Sequence, residues 1–391
     1  MPTTGGTDPM TEDRDAPLHD DTMRAGQSVD NRAEDLAHSA GLVGALDASG
    51  LPTADAAGIT GRQVRAGDRI FLGLSAASGA ILLLIMAAIA AFLIWKAMPA
   101  LTAQSPWTLL TTEKWNPGGN PPVFGVAALL FGTLTTSIIA MIVGVPVAIG
   151  IALFISHYAS RRWATGLGAV VDLLAAVPSL VFGMWGLYFL VPNTQGFQKW
   201  LTDFFAWIPL FSAAPRDANG NPIVDPNTGL PLELGVQQYG KSLLIAGLVL
   251  AIMIIPVVSA VCREVFLQVP GETKDAAWAL GSTKWEMIRT AVLPFGRAGM
   301  ISATMLGLGR ALGETIAVAL VLNSGFRVNW HITEVGGDTL ASVIVLKFGE
   351  AGSSELGIPA LITAGLMLFA ITLVVNSIAR LVIARRKEFT A

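Results

Sequence analysis

The chain has 391 residues, of which 53% are hydrophobic and only 14% charged, with a formal net charge of −3. So large an apolar share over this length excludes an ordinary soluble domain and points to a membrane protein. A single cysteine, Cys262, excludes an intrachain disulfide and a cysteine-built metal cluster, and His19, His38, His157 and His331 are too scattered to share a site.

The first 60 residues hold 11 acidic and 3 basic side chains, so an acidic segment of net −8 precedes a body of net +5. Residues 1–61 lack aromatics and are rich in Asp, Gly, Thr and Ala. Such a tail cannot bury enough apolar surface to offset its ordering entropy, so it is expected to be disordered, with at most a weak helix over Ala33–Leu51. No basic stretch followed by an apolar core stands near Met1, which leaves the first spanning helix as the expected insertion signal.

Six apolar segments are long enough to cross a bilayer, at about 70–98, 126–156, 165–191, 242–267, 300–322 and 358–383. The expected fold is an all-α membrane domain over 62–391. Pro146, Pro178 and Pro256 fall inside three of these segments and predict kinks. Arg and Lys residues gather before the first segment, after the second, between the fourth and fifth, and at the end of the chain. By the positive-inside rule both termini are expected in the cytoplasm. Asp172 and Ser179, in the third segment, are assigned structural roles.

The longest outer segment, 192–241, contains two decoys. Residues 217–229 begin like a calcium loop, but Pro222 and Thr228 occupy positions where that loop needs Gly and Glu, so a turn-rich hairpin is expected. Gly235-Val-Gln-Gln-Tyr-Gly-Lys-Ser242 satisfies the phosphate-loop spacing without a preceding buried strand, so it carries no nucleotide site.

The inner segment 268–297 reads as helix, elbow, helix. Thr273 is placed as the cap of a short helix with Asp275 in its first turn, and Gly281 as its end. Thr283 and Glu286 form a capping box for a second helix, expected to stop at Pro294 and to pack Trp285, Ile288 and Val292 on the spanning helices. The first helix is left free to project.

Arg310 and Glu314 then lie four residues apart inside the apolar run 300–322. A charge at the centre of a spanning helix costs roughly 2.5–3.5 kcal/mol on insertion scales, so such residues usually face protein or an aqueous path. Spacing i, i+4 puts the two on one face. Either they neutralise each other and lock helices together, or the guanidinium faces a translocation path with Glu314 orienting it. Arg suits an oxyanion through its planar, always-charged fork. Thr315 and Ser302 are weaker candidates for the same path, since hydroxyls in such helices often bond their own carbonyls. Gly309 and Gly313 form a small-xxx-small pair suited to close packing.

Lys274-Asp-Ala-Ala-Trp-Ala-Leu-Gly281 followed by Leu293-Pro294 resembles the cytoplasmic loop of permease subunits in binding-protein-dependent ABC importers, with Asp275 in place of the usual Glu and Ala291 in place of a larger aliphatic residue. Gly309-Arg-Ala-Leu-Gly-Glu-Thr315, residues 175–186 and Arg263-Glu-Val-Phe266 together resemble the PstC-type permeases of phosphate-specific importers. The resemblance runs from Phe71 to Arg386. It implies a multi-pass protein of the bacterial plasma membrane that moves phosphate one way. It also implies a homologous permease of PstA type, an ATPase homodimer of PstB type and an external phosphate-binding protein of PstS type as partners. ATP and magnesium would sit on the ATPase, with no cofactor or metal in this chain and no nucleic acid among its partners. Thr273, Asp275, Ala276, Ala277 and Gly281 would form the helix that fits the ATPase. Alternatives are an importer of sulfate or molybdate, and an ion-driven secondary transporter. No internal repeat favours the latter, and no nucleophile–base set favours an enzyme.

Overall fold

The computed structural model describes residues 66–205, 207–211 and 239–387. The expectations for the acidic tail, for the 217–229 hairpin and for the first half of the phosphate-loop look-alike lie outside the described residues. The chain divides into two compact units, Met1–Leu82 and Leu83–Ala391. The described part of the first is helical from Ala66 onward, as the opening stretch of helix α1 (Ala66–Ala103).

In the second unit α2 (Pro106–Thr111) and a two-stranded antiparallel hairpin, β1 (Trp115–Asn116) and β2 (Val123–Phe124), lead into α3 (Ala127–Leu153). There follow α4 (Arg161–Ala175), α5 (Ser179–Trp185), α6 (Val191–Asn193), α7 (Gln195–Phe204) and α8 (Leu243–Leu267). The rest of the chain forms α9 (Gly271–Ala279), α10 (Lys284–Met287), α11 (Leu293–Gly313), α12 (Ile316–Val321), α13 (Leu340–Phe348) and α14 (Gly357–Lys387). Among the described residues, helical stretches at Arg69–Ala103, Ala127–Tyr158, Leu243–Leu267, Lys284–Gly313 and Gly357–Leu381 are long and apolar enough to cross a membrane. Four of them match expected spans.

The third and fifth expected spans differ from their sequence reading. Residues 161–193 form two helices bent by 90° where Pro178 sits between α4 and α5. Pro146 and Pro256, by contrast, lie within α3 and α8, which run on as single elements. The apolar run 300–322 is not one helix: Glu314 takes an extended backbone (φ −70°, ψ 130°) and α12 restarts at Ile316. Nor does Pro294 end its helix. A π turn over Ile288–Val292 precedes it and joins α10 to α11. A local π adjustment of this kind lets a spanning helix continue through a proline by accommodating the backbone groups that its missing N–H frees.

The centre of the unit is α8, which packs between α3 and α11. Residues Leu243, Ile245, Leu250, Met253, Ile254, Val258, Cys262 and Phe266 along it are buried. Lipid tails are as apolar as side chains, so helices associate here through close approach rather than through hydrophobic drive. Glycines permit that approach. A Cβ at Gly247 would stand 2.6 Å from Ile139, and one at Gly144 2.9 Å from Ile254. These neighbours, with Gly296 beside Phe266 and Gly307 beside Val258, place α3 parallel to α8 and α11 antiparallel to it.

At the end where α8 begins, the segment between α12 and α13 folds back over the helices. Leu244 N–H donates to the Ile332 carbonyl (2.9 Å) and Leu340 N–H to Thr133 Oγ1 (2.9 Å). Asp338, wholly buried, accepts from Ser324 Oγ (2.7 Å) and Gly325 N–H (3.2 Å), closing the segment on itself. Burial pushes the Asp338 carboxyl above its usual range, while the donors from Ser324, Gly325 and Ser342 pull it back. Gly132 sits under this closure, and a Cβ there would run into the Asp338 carbonyl oxygen. Gly132→Ala is therefore expected to destabilise the fold by about 1–3 kcal/mol, the usual cost of overpacking. Thermal unfolding in detergent measures it, and an unchanged midpoint would contradict the contact.

Candidate functional site

Arg310 lies on α11 one turn before the break at Glu314. It lines a groove of about 450 Å³ with Val257 of α8, Met305, Leu306 and Gly309 of α11, and Asn376 of α14. Val257 is near the middle of α8, so the guanidinium is held at about half the depth of the spanning helices. Non-helical backbone at such depth is tolerated where it is buried in protein or lines a water-filled cavity. The freed groups are satisfied locally. Glu314 Oε1 accepts from Ala317 N–H (3.3 Å), which starts α12, and Thr315 Oγ1 donates to the Gly313 carbonyl (3.1 Å).

This arrangement corrects the sequence picture of the pair. Glu314 is not one helical turn from Arg310 on a shared face, and the two form no ion pair; among the described residues the ion pairs are Arg263–Asp172, Arg263–Glu264 and Lys347–Glu350. The carboxylate acts on the break instead of on the guanidinium. Ser302 is exposed on α11 and stands outside the groove lining, and Thr315 is half-buried at the break. The groove thus joins Arg310 with Asn376, which sequence reasoning passed over. A polar amide within the last apolar segment was the available signal.

Asp172 is bound into the frame. Its Oδ2 accepts from Arg263 Nη2 (3.3 Å), tying α4 to α8, and Gly168 leaves the space that the guanidinium fills. Ser179 opens α5 directly after Pro178.

The second assembly of candidate residues is at the opposite end of α8, where Leu267 leads through Pro270 into α9. That helix begins at Gly271, so Thr273 lies inside it and is not its cap. Pro270, fixed at φ −56° and ψ 139°, is the cap and sets the start three residues early, and Glu272 is the acidic residue of the first turn. Thr273, Asp275 and Ala276 are exposed, and Ala277 is half-buried against the core. The C-terminal end follows expectation. Gly281 adopts φ +75°, its N–H donates to the Trp278 carbonyl (2.9 Å), and Ser282 N–H donates to the Ala277 carbonyl (3.3 Å). These two bonds define a Schellman motif, which needs a left-handed residue at this position. The Thr283–Glu286 capping box is formed. Lys284 Nζ stands 4.8 Å above the Tyr158 ring, fixing the elbow to the π turn (Phe154–Tyr158) that continues α3.

Trp285 does not pack inward as expected: it is 54% exposed, while Met287, Ile288, Ala291 and Val292 are buried. Ile288 and Val292 pack inward as expected, whereas Trp285 lies in the first turn of α10, ahead of the π turn, and stays outside the packed face. Trp278 and Leu280 are also exposed, Leu280 by 89%. An apolar tip on a rigid, capped elbow is therefore presented at this end of the spanning helices, a feature that the sequence reading did not single out.

Residues 144–388 match the family described as binding-protein-dependent transport system inner membrane component. The chain is 40% identical over 320 residues to the phosphate transport system permease protein PstC 2 of Mycobacterium tuberculosis, covering 82% of this chain and 92% of that one. It is 40% identical over 330 residues to the phosphate transport system permease protein PstC of Xylella fastidiosa, covering 84% and 94%. A bacterial ABC transporter involved in the import of the acidic polysaccharide alginate gives a TM-score of 0.46 at 16% identity, covering 81% of this chain and 99% of that one.

Proposed function

The chain belongs to the family of binding-protein-dependent transport system inner membrane components, and from that premise we propose that it is the PstC-type permease subunit of an ATP-driven phosphate importer. It is a multi-pass protein of the plasma membrane, with both termini on the cytoplasmic side. Membership of this family sets aside the ion-driven secondary transporter.

The observation that carries the reading is the mid-depth groove holding Arg310 beside a broken spanning helix. Phosphate carries between about one and two negative charges at neutral pH and several acceptor oxygens. A fixed guanidinium offers it two parallel, charge-assisted bonds without depending on pH. The groove is one wall, and a homologous permease of PstA type supplies the other, so that this chain contributes half of the path. The exposed elbow of α9 fits an ATPase of PstB type, present as a homodimer, on which ATP and magnesium act. Its closure moves the elbow and tilts the spanning helices. A phosphate-binding protein of PstS type delivers the ion from outside. This chain supplies position and charge, while hydrolysis takes place on its partner.

Purification of the intact complex tests this reading. The expected result is recovery of a second permease and an ATPase with the chain, and ATP-dependent uptake of labelled phosphate that unlabelled phosphate competes and sulfate or molybdate does not. Stronger competition by sulfate or molybdate would reassign the substrate, and absence of an ATPase would overturn the proposal.

A further inference from the structure

Helix α7 (Gln195–Phe204) follows the end of the bent helix pair and divides its surface into three sectors. At helical spacing, Phe197, Trp200 and Phe204 fall on one side. They are 48%, 54% and 63% exposed and stack in series, with ring centroids 5.9 Å and 5.6 Å apart. Gln198 and Thr202 fall on a second side and are buried. Gln198 Oε1 accepts from Gly240 N–H (3.2 Å) and Ser242 Oγ (3.2 Å), and Thr202 Oγ1 donates to Thr333 Oγ1 (3.2 Å). Lys199 and Asp203 fall on the third side, exposed.

The hydrogen bonds fix the rotation of α7 about its own axis, so the aromatic sector cannot turn inward. They also place the helix at the beginning of α8, the end opposite the α9 elbow. Three adjoining environments are thereby demanded of one ten-residue helix: protein on one side, water around the charges, and an apolar medium around the rings. A lipid–water boundary supplies the last two side by side, and aromatic side chains concentrate there because their rings are amphipathic. In the π turn over Gly186–Leu190, Tyr188 and Phe189 are also exposed, by 74% and 54%.

We propose that α7 lies along the headgroup boundary of the leaflet opposite the coupling elbow. There it inserts Phe197, Trp200 and Phe204 into lipid and anchors the start of α8 at a fixed depth.

The test uses the full chain in phospholipid nanodiscs, in a Cys262→Ala background. One nitroxide at a time is placed through Phe197→Cys, Trp200→Cys, Phe204→Cys, Lys199→Cys and Asp203→Cys. Collision with oxygen, which partitions into lipid, is compared with collision with a water-soluble nickel chelate. The expected result is that oxygen dominates at 197, 200 and 204 and nickel at 199 and 203. Equal nickel access on both faces would overturn the proposal, and so would shielding of the aromatic face from both reagents, which would assign that face to a protein partner. Trp200→Phe, which keeps an aromatic ring, provides a second measurement free of label effects. The expected result is loss of part of the tryptophan emission quenched by brominated lipid, and an unchanged quenched fraction would equally overturn the assignment.

Discussion

Arg310→Gln, in a complex that still assembles, is expected to reduce uptake of labelled phosphate by at least about 100-fold. Gln is shorter but unbranched at Cβ and keeps a donor, so it neither blocks the groove formed with Val257, Leu306 and Asn376 nor makes it wholly apolar. What is lost is the charge and one arm of the fork. Each hydrogen bond to a charged group is worth about 1.5–3 kcal/mol, and an anion at mid-depth is left without its counter-charge, so the two losses act together. Arg310→Lys should fall between, since an ammonium restores the charge without the planar pair of bonds. Because Glu314 accepts from Ala317 N–H and has no ion pair with Arg310, Glu314→Gln should act differently. It keeps an acceptor for α12 and should reduce uptake much less than Arg310→Gln does. Normal uptake by Arg310→Gln would remove the guanidinium from the mechanism, and equal losses in both variants would restore the picture of a mutually dependent pair.

Gly281→Val is expected to separate ATP hydrolysis from transport. At φ +75° a β-branched residue is strained by roughly 1–2 kcal/mol, and the strain is relieved by releasing the two bonds that close the end of α9. Nothing lies within 4 Å of a Cβ at Gly281, so the effect is conformational and not a clash. An elbow that no longer holds its angle transmits ATPase closure poorly. Uptake should fall about tenfold or more, on the scale of 1.4 kcal/mol per decade, while hydrolysis by the assembled complex persists. Gly281→Asn is the control, because Asn tolerates the left-handed region, and it should keep the two activities coupled. If Val and Asn behaved alike, the backbone conformation at Gly281 would be irrelevant to coupling.

The features that could be read from the sequence were those set by local chemistry. Spans at 70–98, 126–156, 242–267 and 358–383 follow from apolar length alone. The Gly281 end of α9 and the Thr283–Glu286 capping box depend on residues within a few positions of each other. Features decided by neighbours could not be read this way. Pro146, Pro178 and Pro256 look alike locally, yet only Pro178 parts two helices sharply. The break at Glu314 sits in a run whose composition suits an unbroken helix, with Gly313 as its one local hint. An i, i+4 argument for Arg310 and Glu314 assumes the very continuity that is missing. The candidate groove could be approached from the sequence through its cation, whereas Asn376 joins its lining only once α14 is packed beside α11.

The glycine contacts along α8 bear on how the molecule can move. With Gly247 and Gly144 seated against Ile139 and Ile254, sliding or rotating α8 relative to α3 drives backbone into side chain. The two behave as a single stiff post. The helix breaks beside that post, the corner at Pro178 and the gap at Glu314–Thr315, are where the spanning helices can bend without driving those contacts together. One of those joints adjoins Arg310, so flexing there also moves the cation that lines the groove.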